Sequence, residues 1–321
     1  MSGAALATTG AATGAGAATG AAFGKVILFG EHAVVYGAPA IAAGIERGAR
    51  ARATPAAGGR GSALGLGGLV HAAGEGEVGR AFAALLAALG PGVEVEVEAE
   101  SELPPGGGLG SSAALGVAIA RAIGAIGGGE AIAPARVLAA AAAWEGIFHG
   151  NPSGIDTTAA ARGGCFRFTR AKGATPLSPP EDLRLCVGMT GISVSTREMV
   201  EGVARLFARK PELKQRSIEA ITALVENAAL AIEAGDRVGL GQLMDLNHMI
   251  LAGMFVSAEP IERMCSLSRE AGALGAKLTG AGGGGSVIAL VEDEEVAGQV
   301  LEAWKGEGFE GFLTRVRGAE P

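Results

Sequence analysis

The alternation of apolar and polar positions predicts a chain of interleaved strands and helices. Residues 93–98 read VEVEVE, a two-residue period typical of a strand with one buried and one solvated face. Apolar residues recur at helical spacing over residues 113–126 and predict a helix. Similar patterns alternate in both halves, so the predicted class is α+β. The other predicted strands are 26–29, 33–36, 40–53, 165–168, 183–189, 286–291 and 311–316. The other predicted helices are 78–89, 134–149, 196–208, 215–233, 238–254, 259–273 and 294–305.

Three segments lack such periodicity. Residues 54–68 are rich in Gly and Ala and predict a loop, and residues 171–181 contain three prolines and are the best linker candidate. Residues 1–22 are almost entirely Ala, Gly and Thr, without the basic and leucine-rich regions of a signal peptide. They predict a low-complexity tail, in which residues 17–22 could pair as a weak edge strand.

Composition narrows the function. With 321 residues, 49% of them hydrophobic, the chain can bury one large core or two modest ones. With a net charge of −7, the protein has no overall positive charge that would attract nucleic acid or anionic membranes. Aromatic residues make up only 4% of the chain, which argues against a surface on which nucleic-acid bases stack. No strongly apolar run predicts a membrane span. Three widely spaced cysteines predict neither a disulfide framework nor a zinc site, which favours a reducing cytoplasm.

A glycine-rich segment precedes the helix predicted from residue 113. Residues 104–114 read PPGGGLGSSAA, which predicts a loop with Ser111 and Ser112 in N-cap positions. Backbone N–H groups and the positive end of the helix dipole make such a junction a phosphate-binding candidate. The alternative is an ordinary glycine turn with a serine cap. A Walker loop is excluded, because the segment contains no lysine.

A second candidate lies at the end of the predicted helix 134–149. Glu145 and His149 are four residues apart and share one helix face, while Trp144 is expected to face the core. Ser153 and Asp156 have capping-box spacing, so Asp156 is equally a helix-start carboxylate or a catalytic group.

Two further segments flank predicted strands. Residues 24–37 read GKVILFGEHAVVYG, with a lysine before the predicted strand and a Glu-His pair after it. Taken alone, these are polar residues of the kind that ordinarily flank a strand. Residues 277–285 read KLTGAGGGG and formally match the dinucleotide motif. That interpretation fails, because a strand follows the glycines where the motif needs a helix.

In order along the chain, these segments resemble the motifs of the GHMP small-molecule kinases. Residues 25–37 and 145–156 are similar to the forms found in mevalonate kinases, the latter written E-x-x-x-H-G-x-P-S-G-x-D. Residues 104–114 and 277–285 resemble the second and third motifs of the family. The family usually has a proline two residues before the lysine, where this chain has Phe23.

The resemblance implies a two-lobed GHMP kinase fold of the α+β class. A ribosomal S5 domain 2-like N-terminal lobe would span residues 23–180 after a tail at 1–22, and a ferredoxin-like C-terminal lobe would span residues 181–321. The implied reaction transfers the γ-phosphoryl group of ATP to the 5-hydroxyl of mevalonate, with ATP and Mg²⁺ as cofactors.

The resemblance also assigns roles to residues. Asp156 is the implied catalytic base and Lys25 the cation beside it, and Ser112 and Glu145 are the implied Mg²⁺ ligands, both oxygen donors as Mg²⁺ requires. The implied substrate-binding residues are Glu31, His32, Ser153 and Thr196. The implied ATP-binding residues are Pro105, Gly106, Gly107, Gly108, Leu109, Gly110, Ser111, Ser112, Gly280, Gly282 and Gly283.

Other functions stay open at this stage. Another GHMP member, such as a phosphomevalonate kinase or a mevalonate 3-kinase, is the nearest alternative, and a non-catalytic nucleotide-binding regulator is a more distant one. The expected partner is a small molecule, mevalonate, rather than nucleic acid or membrane. The sequence does not determine the oligomeric state, and a homodimer is one of the states open to it.

Overall fold

The computed structural model describes residues 11–12, 16–56, 61–72, 74–90, 92–104, 106–126, 132–149 and 154–318. Its strands are β1 (Ala11–Ala12), β2 (Ala18–Phe29), β3 (Ala40–Pro55), β4 (Ala63–Gly65), β5 (Leu69–His71), β6 (Val95–Ser101), β7 (Cys165–Thr169), β8 (Gly173–Leu177), β9 (Leu183–Met189), β10 (Gly275–Thr279), β11 (Ser286–Val291) and β12 (Glu310–Val316). Its α-helices are α1 (Glu77–Leu89), α2 (Ser111–Gly124), α3 (Pro134–His149), α4 (Ile155–Arg162), α5 (Thr196–Arg209), α6 (Pro211–Ala234), α7 (Arg237–Gly253), α8 (Glu259–Glu270) and α9 (Glu294–Gly306). The predicted interleaving of strands and helices is confirmed.

The chain forms two compact units. The first is drawn from Met1–Gly24, Glu46–Pro104 and Gly110–Gly163. In it the C-terminal half of β3 pairs antiparallel with β6, and β4 pairs parallel with β6 and antiparallel with β5. The valines of β6 are buried and its glutamates largely exposed, as the alternation predicts. Helix α2 packs on β6 and α3, and all its residues from 113 to 123 are buried.

The second unit is drawn from Lys25–Ile45, Pro105–Leu109 and Gly164–Pro321. Its main element is an antiparallel sheet of order β10-β11-β9-β12. Helices α7 and α8 pack on β10, and α9 packs on β9 and β12. The N-terminal half of β3 pairs with β7, which pairs with β8. These units divide the chain at other points than the predicted lobes, and the lobe boundary at residue 180 stays a prediction.

The predicted strand at residues 33–36 is wrong. Ala33–Tyr36 is one turn of 3₁₀ helix between His32, whose φ is 59°, and Gly37, whose φ is 90°. Valines and tyrosine favour a strand locally, but two left-handed residues so close together reverse the chain direction. The segment therefore forms a tight connection between β2 and β3.

Two predicted irregular segments contain strands. The loop predicted at 54–68 includes β4, and the linker predicted at 171–181 includes β8. Each adds to a strand already present, so backbone pairing outweighs the local Gly and Pro content. Pro176 is tolerated because β8 is at an edge and pairs with β7 alone among the described strands.

The predicted tail contains an ordered strand. Ala18–Ala22 begins β2, and Ala18 and Ala22 are buried. The weak edge strand predicted at 17–22 is thus part of a longer strand, while residues 1–10 and 13–15 lie outside the described residues. None of the helices in the described ranges is long and apolar enough to cross a membrane.

Candidate active site

In the first unit, α2 begins at a glycine rather than at a serine cap. Gly110 is the N-cap residue, with a left-handed φ of 76° and no side-chain cap, so the predicted capping role of Ser111 and Ser112 is wrong. Both serines lie in the first turn, and Ser111 Oγ is 3.0 Å from Ser101 Oγ. A left-handed N-cap favours glycine, and the first N–H groups of a helix have no acceptor within the helix. This end of α2 therefore offers donors to an anion.

Ser112 meets Glu145 of α3 in the same unit. The Ser112 hydroxyl donates to Glu145 Oε1, and the indole Nε1–H of Trp144 donates to Ser112 Oγ over 3.2 Å. Trp144 and Glu145 are buried, so the serine hydroxyl and the carboxylate are held together. The two oxygens fit the preference of Mg²⁺ for oxygen ligands. Within the described ranges, no group of three or more His, Cys, Asp or Glu side chains could hold a metal by itself.

Asp156 occupies the first turn of α4 and is half-buried. The N-cap of this helix is Gly154, with a φ of 84°. Ser153, the predicted start of a capping box, lies outside the described residues. The helix is anchored by Arg121 of α2, whose guanidinium donates to the carbonyls of Ala161 at 2.5 Å and Ala21 at 2.6 Å. Burial lowers the pKa of Arg121 to about 10.

In the second unit, three separate sequence segments converge. Lys25 Nζ donates to the Gly108 carbonyl at 3.1 Å, and its backbone N–H donates to the Leu109 carbonyl at 2.8 Å. The Ser286 hydroxyl donates to the Gly107 carbonyl at 2.7 Å. The buried lysine and the start of β11 thus both hold the loop that leads to α2.

The glycine loop at 280–285 approaches the same carbonyls. Gly280, Gly282 and Gly283 all have left-handed φ values, between 74° and 82°. A Cβ placed on Gly280 would lie 3.5 Å from the Gly108 carbonyl oxygen. The two glycine-rich loops therefore lie side by side, and Gly106, Gly107, Gly108, Leu109, Gly280, Gly282 and Gly283 belong to one group of backbone segments. Pro105 lies outside the described residues.

Glu31 forms a fully buried ion pair with Lys277 of β10. Lys277 Nζ also donates to the Leu278 carbonyl at 2.7 Å. Glu31 Oε2 is buried and has no hydrogen-bond partner among the described residues. Burial raises the pKa of the Glu31 carboxyl, against the opposing effect of Lys277, and burial lowers the pKa of the lysine. One carboxylate oxygen is thus fixed, and the other remains an acceptor.

His32, the next residue, is buried and has a left-handed backbone with a φ of 59°. Such a conformation is strained for a residue with a side chain and is typical of functional sites. Its Nε2 lies 2.9 Å from the Ala281 carbonyl, which can only accept, so Nε2 carries the proton. Burial lowers the pKa of the ring. His32 is therefore neutral near pH 7 and ties the turn after β2 to the 280–285 loop.

Thr196 makes none of the hydrogen bonds that connect the other candidate residues of the second unit. It is the first residue of α5, is exposed and makes no side-chain hydrogen bond among the described residues. Ser195 is the N-cap of the helix, with its hydroxyl accepting from the Glu198 N–H at 3.5 Å. A substrate role for Thr196 remains a prediction.

The roles predicted from the sequence do not include Lys277, Ser286 or Trp144, although each contacts a candidate residue. A signal existed for Lys277, because a lysine within the short apolar strand GAKLT needs a buried partner. No comparable signal marks Ser286. Trp144 lies in the core as predicted, but the pattern cannot show where its N–H points.

Comparison with known proteins identifies the family. The family described as GHMP kinases N terminal domain matches residues 77–164, and GHMP kinases C terminal matches residues 228–310. The chain belongs to the GHMP kinase family. The GHMP resemblance and the α+β, two-lobed GHMP kinase fold predicted from the motifs are confirmed.

This GHMP kinase is similar over most of its length to proteins named mevalonate kinase. It is 38% identical to that of Aeropyrum pernix, covering 85% of this chain and 88% of the relative. It is 35% identical to that of Thermococcus sibiricus, covering 91% and 94%. Among solved structures, the L. major mevalonate kinase in complex with R-mevalonate matches with a TM-score of 0.83 and 30% identity, covering 98% of both chains.

Proposed function

We propose that this GHMP kinase transfers the γ-phosphoryl group of ATP to the 5-hydroxyl of mevalonate, giving 5-phosphomevalonate. The observation that carries the proposal is the similarity to mevalonate kinases over most of the chain, at 38% identity across 85% of it in one case. The contacts between the four motif segments support a phosphate site and a substrate site. ATP, Mg²⁺ and mevalonate are the ligands that the proposal requires.

The start of α2 is the proposed phosphate and metal site. The backbone of residues 105–112 would bind the ATP phosphates, and Gly280, Gly282 and Gly283 are further candidates for ATP binding. The Ser112 hydroxyl oxygen and the Glu145 carboxylate would hold Mg²⁺, since both groups are oxygen donors and a hydrogen bond already holds them together. When bound, Mg²⁺ neutralises charge on the transferred phosphoryl group. A site with two protein ligands agrees with the tendency of Mg²⁺ to keep waters and phosphate oxygens as its other ligands.

Asp156 and Lys25 are the proposed catalytic residues. Asp156, in the first turn of α4, would accept the proton of the substrate hydroxyl or orient that hydroxyl for attack. Lys25 would supply positive charge, and its Nζ is fixed by the Gly108 carbonyl at 3.1 Å. A fixed cation can stabilise a developing negative charge without reorganising during the reaction.

Glu31 and His32 are the proposed centre of the substrate site, with Ser153 and Thr196 as further candidates. Glu31 Oε2, which has no donor among the described residues, supports this assignment, because a buried acceptor without a donor costs free energy. A hydroxyl of the substrate would provide that donor. The neutral His32 ring, fixed through Nε2, leaves its other nitrogen as an acceptor.

The test is ATP turnover measured with and without mevalonate, with the product position assigned by ³¹P and ¹H nuclear magnetic resonance. We expect ADP formation that depends on mevalonate, and a phosphate on the 5-hydroxyl. A phosphate on the 3-hydroxyl would replace the proposal by a mevalonate 3-kinase. Turnover with 5-phosphomevalonate but not with mevalonate would indicate a phosphomevalonate kinase, and ATP binding without turnover would indicate a regulator.

A further inference from the structure

Trp144 contacts the candidate metal site directly. It is 1% exposed, precedes Glu145 on α3 and donates its indole Nε1–H to Ser112 Oγ over 3.2 Å. Two neighbouring residues of one helix therefore reach the same hydroxyl, one as a donor and one as an acceptor. Ordinary core packing does not require this arrangement, because a buried indole N–H can use any acceptor within reach.

Helix α2 is shaped to receive the indole. Gly116 lies one turn after Ser112, and a Cβ placed on it would be 2.9 Å from Trp144 Cδ1. Any larger residue at that position would push the ring away from the hydroxyl. The Phe148 ring also lies against the indole, 5.5 Å away from centroid to centroid. The position of the ring, and hence the direction of its N–H, is determined by these contacts.

The two hydrogen bonds of the Ser112 side chain determine the orientation of its hydroxyl. A serine hydroxyl has one proton to donate and two lone pairs, and an indole N–H can only donate. Trp144 occupies one lone pair, and the Ser112 proton goes to Glu145 Oε1. Within the described part of the chain these are the only side-chain hydrogen bonds of Ser112, so one lone pair is left for a cation.

We propose that Trp144 is a positioning residue for the metal site, acting through Ser112. Its N–H orients the Ser112 hydroxyl so that the remaining lone pair faces Mg²⁺ while the proton stays on the hydrogen bond to Glu145. The proposal rests on the proposed assignment of Ser112 and Glu145 as metal ligands. It adds a residue that does not itself contact metal or nucleotide.

Trp304 provides a matched control. It is also fully buried, and its Nε1–H also donates a hydrogen bond, to the Met264 carbonyl at 3.0 Å. Its acceptor is a helix carbonyl of the second unit and belongs to no candidate site residue. Replacing either tryptophan by Phe removes a buried indole N–H and part of a core side chain, so a general packing defect affects both variants.

The first experiment measures the Mg²⁺ concentration that gives half-maximal turnover at saturating ATP. We expect Trp144→Phe to raise it roughly two- to tenfold, the range of one lost hydrogen bond, and Trp304→Phe to leave it unchanged. Ser112→Ala should raise it as well, and adding Trp144→Phe to Ser112→Ala should have little further effect. Equal effects of the two Phe variants, or full multiplication in the double variant, would overturn the proposal.

The second experiment does not depend on turnover, and its main measurement, on the Trp304→Phe variant, does not require Trp144→Phe to fold. The chain has two tryptophans, so Trp304→Phe leaves Trp144 as the only indole fluorophore. We expect Mg²⁺–ADP to change its emission more than ADP with EDTA does, and to leave the emission of Trp304 in the Trp144→Phe variant unaltered. Identical responses with and without Mg²⁺ would contradict the role of Trp144. If the wild-type protein fails to phosphorylate mevalonate but Trp144 responds to Mg²⁺, only the proposed substrate is wrong.

Discussion

Lys277 Nζ and Glu31 Oε1 form a hydrogen-bonded ion pair in which both side chains are fully buried. The pair joins β10 to the turn after β2, although 246 positions separate the two residues in the sequence. Two charges are expensive to bury, and a packed apolar pair is often as stable. We infer that the pair is retained because it holds the Glu31 carboxylate at the candidate substrate site.

The first prediction follows from the free-energy cost of burying the charges of Lys277 and Glu31. Lys277→Met leaves Glu31 buried without its ion-pair partner, which should destabilise the fold by about 3–5 kcal/mol and raise the pKa of Glu31 further. Chemical denaturation measures the loss. Adding Glu31→Gln to the Lys277→Met variant removes the unpaired charge and should recover part of the stability but not the activity. A double variant that is less stable than Lys277→Met alone would show that the pair is not the source of the effect.

The second prediction concerns Glu145. Glu145→Gln keeps the side-chain volume but weakens a proposed Mg²⁺ ligand, so it should raise the Mg²⁺ requirement and lower kcat more than tenfold, which corresponds to about 1.4 kcal/mol or more. Steady-state kinetics over a range of Mg²⁺ concentrations provides the measurement. Glu226→Gln, on an exposed ion pair with Arg167, is the control. An unchanged Mg²⁺ dependence in Glu145→Gln would mean that other groups hold the metal.

The third prediction concerns Asp156. Asp156→Asn should lower kcat roughly 10²–10⁴-fold, the usual contribution of a positioned acid or base, with the affinity for ATP largely kept. Kinetics with mevalonate, and ATP binding measured separately by calorimetry, test both parts. Asp182→Asn, in a partly exposed pair with Arg317, should leave both values unchanged. Equal losses of ATP binding and kcat in Asp156→Asn would point to a structural role.

Much of the fold could be predicted because the local patterns are strong. The predicted helix 134–149 and strands 183–189 and 286–291 have the observed bounds, since their apolar runs are bounded by turn or capping residues. β4 and β8 were missed because their stability comes from pairing with β6 and β7 rather than from their own Gly- and Pro-containing sequences.

The candidate site was only partly predictable, for the same reason. The motifs marked Lys25, Glu31 and Ser112, but the contacts that hold them come from distant positions. Ser286 binds the Gly107 carbonyl across 179 positions, and nothing in the local sequence of either segment indicates this. Single-sequence patterns report local structure well and long-range hydrogen bonds poorly.

The fourth prediction tests whether the first residues of β2, around Gly20, contribute to the stability of the fold. A Cβ on Gly20 would lie 2.3 Å from the Ala118 carbonyl oxygen, so Gly20→Ala should separate β2 from α2 and cost about 1–3 kcal/mol. Gly298, exposed on α9 with nothing near its Cβ position, is the matched control. Gly298→Ala should stabilise the protein by about 0.5–1 kcal/mol through helix propensity. If Gly20→Ala unfolds at the wild-type temperature while Gly298→Ala unfolds at a higher one, the segment of β2 around Gly20 contributes no stability.

The last prediction concerns His248 of α7. Its Nδ1 accepts the Leu278 N–H at 3.3 Å, so its proton is on Nε2, which lies 3.1 Å from Glu262 Oε1. Burial lowers the pKa of the ring below its ordinary value of 6.5, against the opposing effect of Glu262. A second proton, on Nδ1, would face the Leu278 N–H and break this contact with the strand that carries Lys277.

The sign of the pH effect follows from linkage. Below about pH 6.5 the unfolded chain binds a proton at this histidine that the folded chain does not, so stability rises with pH in this range. The contribution of the neutral ring is fully present above pH 6.5 and is lost as the pH falls. His248→Gln should therefore lower stability at pH 7.5 but reduce its slope between pH 7 and 5, measured by urea denaturation at each pH. The exposed His71 is the control, and His71→Gln should leave the stability at pH 7.5 unchanged. If His248→Gln keeps the full slope, the acid sensitivity arises elsewhere, and His32, whose pKa burial also lowers, becomes the next residue to replace.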